Sequence, residues 1–133
     1  MQRKTATMIA AIMVGLAMAP SIANAQFALP AKPAKPDGAT LFSRQCGTCH
    51  VATASTEPRQ GPNLHAVIGR KAGSLPGFTY SGSYAASNIV WNTDTLDTYL
   101  TNPQAMIPGS VMAYRQSDPE IRHTIIDWLK DQH

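Results

Sequence analysis

Cys46-Gly47-Thr48-Cys49-His50 is a pair of thiols three residues apart followed at once by an imidazole, and the fold follows from how it is read. The spacing is the attachment signature of a c-type haem. Two sulfurs so placed can add across the two vinyl groups of one porphyrin edge as thioethers, and the next residue then turns its ring toward the iron as an axial ligand. Cys46 and Cys49 are therefore candidate covalent anchors of one haem c, and His50 is the candidate proximal ligand. Such a group would supply much of the core of a small chain, so the haem-free polypeptide is expected to fold poorly.

Other uses of a Cys-x-x-Cys pair compete with this one. A thioredoxin-like redox pair wants a surrounding βαβ pattern, and the chain has no such succession of β-branched strands. A structural zinc site wants four ligands, whereas the chain has no third cysteine and its other histidines are scattered at His65, His123 and His133. A plain disulfide is the remaining alternative.

The chain of 133 residues opens with Arg3 and Lys4, runs apolar from about Met8 to Ala19, and reaches Ala23-Asn24-Ala25, a small-x-small signal-peptidase site. Residues 1–25 read as a secretory signal cleaved after Ala25, which places the product in the periplasm. An uncleaved anchor is disfavoured because the apolar run is shorter than the roughly 20 residues that span a bilayer and Pro20 breaks its end. Without Arg3 and Lys4, nine basic residues stand against eight acidic ones. That balance offers no electrostatic footprint for nucleic acid or anionic lipid.

Residues 26–36, with Pro30, Pro33 and Pro36, read as an extended tether, and residues 37–133 as one small domain. Asp37 is a candidate N-cap, followed by Gly38, Phe42 and Cys46 on one helical face. A second helix is expected from Asn92 or Thr93 to Leu100, closed by Pro103. Ser117-Asp118-Pro119-Glu120 predicts a last helix capped by Ser117, with Ile121, Ile125, Trp128 and Leu129 as its apolar set. Gly38 leaves room for Trp128 beside Phe42, so the two terminal helices are expected to cross. Between His50 and Trp91 the chain is rich in turn residues and predicts a long segment wrapped around the porphyrin.

With the haem motif placed, the chain from Gly38 to Leu129 resembles class I cytochrome c, the mitochondrial type and its soluble bacterial relatives. The resemblance rests on Gly61-Pro62-Asn63-Leu64, Gly69-Arg70-Lys71, Pro76-Gly77-Phe78-Thr79-Tyr80, Trp91, Thr95-Leu96 to Tyr99-Leu100 with Asn102-Pro103, and Ile107-Pro108-Gly109-Ser110-Val111-Met112. It implies an all-α fold wrapped around one covalent haem in a crevice, with His50 and Met112 as axial iron ligands. Met106 and Met112 both lie in the region of the second ligand. The family's pattern puts the ligand at the end of the Pro108-Gly109 turn, which favours Met112 and leaves Met106 to core packing.

The same resemblance implies that the Pro62 carbonyl accepts the His50 ring N–H, that Arg70, Tyr80 and Trp91 contact or neutralise the inner haem propionate, and that Tyr99 bonds near the Met112 sulfur. Ser110 stands for the usual threonine and keeps its hydroxyl. Tyr84 stands where a small amide usually orders a buried water, and Tyr114 where a phenylalanine usually covers the crevice edge. The lysines that usually ring the haem edge are replaced by Gln45, Gln104, Ala105 and Val111, with Asp118 before the last helix and Arg44, Arg59 and Arg115 as residual positive charge.

The resemblance implies an electron-transfer protein and no enzyme; with the signal of residues 1–25 the chain reads as a soluble, periplasmic, monomeric one-electron carrier without a transmembrane anchor. Its partners are redox proteins, a dehydrogenase or quinol-oxidising complex on one side and a terminal oxidase or reductase on the other. Methionine opposite histidine raises the reduction potential, which suits a late position in a respiratory or methylotrophic chain. A ligand sensor or peroxidase would need an open iron face, and Met112 in its Pro-Gly turn argues against one.

Overall fold

Asp37 begins the first helix by accepting the Thr40 N–H at 2.7 Å on its side chain. The computed structural model describes residues 34–133; the expected signal and most of the tether, residues 1–33, lie outside the described residues. Among the described residues five helices follow one another, α1 (Gly38–Gln45), α2 (Gly82–Ala86), α3 (Thr93–Thr101), α4 (Pro103–Met106) and α5 (Pro119–Lys130). The described residues hold no strand, only one isolated antiparallel bridge between Lys71 and Val90. The class is all-α.

The terminal helices α1 and α5 pack on each other at Gly38, where a Cβ would fall 2.3 Å from Trp128 Cβ and 2.7 Å from the Thr124 carbonyl oxygen. The absent side chain lets the indole seat beside Phe42, with ring centroids 4.8 Å apart. Leu41 and Phe42 from α1, Leu96, Tyr99 and Leu100 from α3, and Ile125, Ile126 and Leu129 from α5 are all buried. The apolar spacing of each helix thus becomes one face of a common core.

Helices α3 and α5 are also tied by charge. The guanidinium of Arg122, 8% exposed, meets Asp97 with Nε 2.7 Å from Oδ1 and Nη2 3.3 Å from Oδ2, and its Nη1 donates to the carbonyls of Gln116 and Ser117 at 3.0 Å each. Five donors in a planar fork suit this fourfold demand. The hydrogen bond from Arg122 holds the Asp97 carboxyl below its ordinary value.

One expectation needs correction and two gain detail. Helix α5 is capped by Asp118, whose Oδ1 accepts from Glu120 N at 2.8 Å and Ile121 N at 3.4 Å, and not by Ser117. With Pro119 fixed as the first helical residue, the cap falls one position later than the serine. Pro103 does close α3, but it also opens α4, because Asn102 accepts from Ala105 N at 3.3 Å and caps the next turn. The wrapping segment, expected to carry little secondary structure, includes one short helix, α2, at the Ser81-Gly82 turn.

Candidate functional site

The haem-motif residues form one turn at the end of α1. Cys46 N and Gly47 N both donate to the Phe42 carbonyl at 2.8 and 2.9 Å, and His50 N donates back to the Cys46 carbonyl at 2.9 Å, which folds the imidazole under the two sulfurs' segment. Both thiols are free and half-buried. Burial, with the neighbouring Cys49 adding to it, pushes the Cys46 thiol up to about 11. A reactive redox pair needs a depressed thiol, so this environment argues against thiol–disulfide exchange. Among the described residues no group of three or more His, Cys, Asp or Glu side chains could hold a metal ion, so the zinc alternative has no ligand set.

Cys46, Cys49, His50, Pro62, Arg70, Tyr80, Trp91, Tyr99 and Met112 all line one cavity of about 480 Å³. Its wall is completed by Leu64, Val67, Leu96, Leu100, Ile125 and Leu129, an apolar lining of the size that takes a large flat ligand. Met106 is not among the lining residues. Ser110 stands behind the wall, buried, with Met112 N donating to its hydroxyl at 3.3 Å.

The loop under His50 is drawn in by backbone bonds from Gly61 N to the Cys49 carbonyl and from Leu64 N to the Val51 carbonyl, 2.8 and 2.7 Å. A Cβ on Gly61 would fall 2.2 Å from His50 Cε1, so only glycine lets the ring lie against this chain. His50 Nδ1 sits 2.7 Å from the Pro62 carbonyl oxygen. A carbonyl can only accept, so Nδ1 carries the proton and Nε2 keeps its lone pair for a metal. Burial lowers the imidazole's pKa against the opposing effect of the Pro62 bond, which keeps the ring neutral.

A second backbone clamp joins Arg70 to Trp91, with Trp91 N donating to the Arg70 carbonyl at 2.9 Å and Gly69 N to the Trp91 carbonyl at 2.7 Å. Arg70 is steadied by its Nη1 and Nη2 bonds to the His65 and Asn63 carbonyls at 3.1 and 2.7 Å. No carboxylate pairs with it among the described residues, and burial lowers its pKa. Ser81, also in the lining, has a buried hydroxyl without a partner. An orphaned donor and a desolvated cation on one apolar cavity fit a carboxylate-bearing ring such as haem. As a sequence Ser81 reads only as a turn residue; its place directly after Tyr80 was the available signal for the lining.

Met112 follows a turn in which Pro108 precedes Gly109 at φ 83° and Ser110 N bonds the Ile107 carbonyl at 3.0 Å. Tyr99 Oη lies 3.5 Å from Met112 Sδ. Two further groups were not anticipated as partners. The Tyr84 hydroxyl meets those of Tyr99 and Ser110, the latter at 2.6 Å. At the crevice edge Tyr114 donates to Gln45 Oε1, which also accepts from Gln116 Nε2 at 3.0 Å. This clasp fastens the Met112 segment to the end of α1.

No protein-family model matches the chain. Curated relatives do. Cytochrome c of Ulva intestinalis is 39% identical over 103 residues, which cover 77% of this chain and 91% of that protein. Cytochrome c of Stellaria longipes is 42% identical over 96 residues, 71% of this chain and 88% of that protein. Cytochrome c2 of Rhodomicrobium vannielii is 41% identical over 91 residues, 68% and 73% of the two chains.

Proposed function

This chain belongs to the cytochrome c family, electron-transfer proteins that carry one covalent haem c and are not enzymes, and from that premise we propose that it is a soluble periplasmic one-electron carrier with His50 and Met112 as its axial iron ligands. The observation that carries the proposal is the meeting of His50, with Nε2 free, and Met112 in the same cavity as Cys46 and Cys49. Haem supplies a ferrous–ferric couple when bound. The chain's own part is to anchor the ring through the two sulfurs, to fix the imidazole through Pro62, and to bring Met112 in on a rigid turn. Arg70, Tyr80, Trp91 and Ser81 would face the inner propionate, and Tyr99 would donate to the Met112 sulfur.

With His50 and Met112 both bound, the iron would offer no site to a substrate and its surroundings would stay similar in both oxidation states, as electron transfer requires. No helix among the described residues is long and apolar enough to cross a membrane. The expected signal of residues 1–25 supports export, and the exported protein would work as a monomer between a dehydrogenase or quinol-oxidising complex and a terminal oxidase or reductase. Ligation is tested on the ferric protein by its weak near-infrared sulfur-to-iron band. Met112→Ala should abolish the band and Met106→Ala should leave it; the reverse pattern would move the ligand to Met106.

A further inference from the structure

Tyr84, 9% exposed, sits in the wall beside Met112 with its hydroxyl in contact with two others. Its neighbours are Tyr99 Oη and, at 2.6 Å, Ser110 Oγ. Ser110 Oγ also receives the Met112 N–H at 3.3 Å and stands 3.2 Å from Tyr99 Oη, which in turn stands 3.5 Å from Met112 Sδ.

Each hydroxyl has one proton to give, so the directions can be counted. If Tyr99 donates to Tyr84 and Tyr84 to Ser110, the Ser110 proton is left with Tyr99 at 3.2 Å, longer than the ordinary O–H···O range. If Ser110 donates to Tyr84 and Tyr84 to Tyr99, the Tyr99 proton goes to the sulfur, whose larger radius makes 3.5 Å an ordinary contact. In that second order no proton is left with an acceptor beyond the ordinary range. The circuit leaves Met112 at its N–H and returns to Met112 at its sulfur, and bonds running in one direction polarise one another.

We propose that Tyr84 is a positioning residue that acts through Tyr99: its O–H donates to the Tyr99 oxygen and so commits the Tyr99 proton to the Met112 sulfur. The proposal rests on the reading that Met112 ligates the iron. A hydrogen bond donated to a thioether withdraws electron density from it, which favours the ferrous state and raises the reduction potential. Phenylalanine at position 84 keeps the ring and removes the commitment.

The test is voltammetry of the holo-protein with Tyr84→Phe, Tyr99→Phe and the double variant, beside the near-infrared band of each ferric form. Both single variants should lower the potential, and the double should lie no lower than Tyr99→Phe alone, because Tyr84 has no route to the sulfur except Tyr99. A potential that is unchanged or raised in Tyr84→Phe, or single effects that add in the double, overturns the relay. The raised value would mean that Tyr84 draws the Tyr99 proton away from the sulfur. If the parent lacks the band, or Met112→Ala retains it, ligation by Met112 and the relay fall together; a parent band lost in Met112→Ala, with the potential of Tyr84→Phe flat, overturns the relay alone.

Discussion

At the scale of single residues, the site is decided by close contacts that tolerate little change. Gly61→Ala would place a methyl 2.2 Å from His50 Cε1, so the ring must move and loosen its bond to Pro62. Denaturation of the holo-protein should show a loss of about 1–3 kcal/mol, the usual cost of overpacking. Tyr114→Phe removes one donor from the clasp while Gln116 still bonds Gln45, so its cost should be near the low end for a hydrogen bond, about 0.5–1 kcal/mol. Cys46, Cys49 and His50 were legible because their chemistry is contiguous in the chain. Tyr84, Gln45 and Ser110 were not legible as partners, because their bonds span 15, 26 and 69 residues and no local pattern encodes such meetings.

At the scale of elements, the α1–α5 crossing and the α3–α5 ion pair carry the frame on which the cavity is built. Gly38→Ala improves helix propensity by up to about 1 kcal/mol, yet its methyl would meet Trp128 Cβ at 2.3 Å and a backbone oxygen at 2.7 Å, so the clash should win by about 1–3 kcal/mol in urea unfolding. The Asp97 carboxyl, faced by Arg122 and His123, is held below its ordinary value by Arg122. Its stabilisation is therefore complete above the ordinary carboxylate range and is lost as pH falls through the lowered value. Stability measured against pH should drop along this acid limb, and Asp97→Asn should flatten the drop while lowering stability near neutrality; an unchanged limb would show that other carboxylates govern it. The apolar spacing of α1, α3 and α5 was legible because their 8, 9 and 12 residues are long enough to repeat it. Helix α2, of five residues, and the four-residue α4 were missed because they are too short to show a period. The α5 cap slipped by one residue because serine and aspartate are equally good caps and only the seating of Pro119 chooses between them.

At the scale of the whole molecule, charge and closure govern what the protein can do. Over residues 26–133 nine basic residues stand against eight acidic ones, and beside the clasp Val111 is 83% exposed. If partners dock on this face, desolvation near Val111, Ala113 and Tyr114 should count for more than long-range attraction. Stopped-flow rates with the physiological partner should change only modestly from low to physiological ionic strength, where screening acts over about 10 Å at 0.1 M. A steep fall with salt would show that Arg44, Arg59 and Arg115 suffice for steering. Closure is the stronger constraint: a carrier with both axial positions filled by His50 and Met112 would have no place on its iron for a small ligand. Carbon monoxide added to the reduced holo-protein at neutral pH tests this most directly. The absorption spectrum should stay unchanged; conversion to a carbon monoxide complex would mean an open sixth position and make the protein a ligand-binding or catalytic haem protein instead.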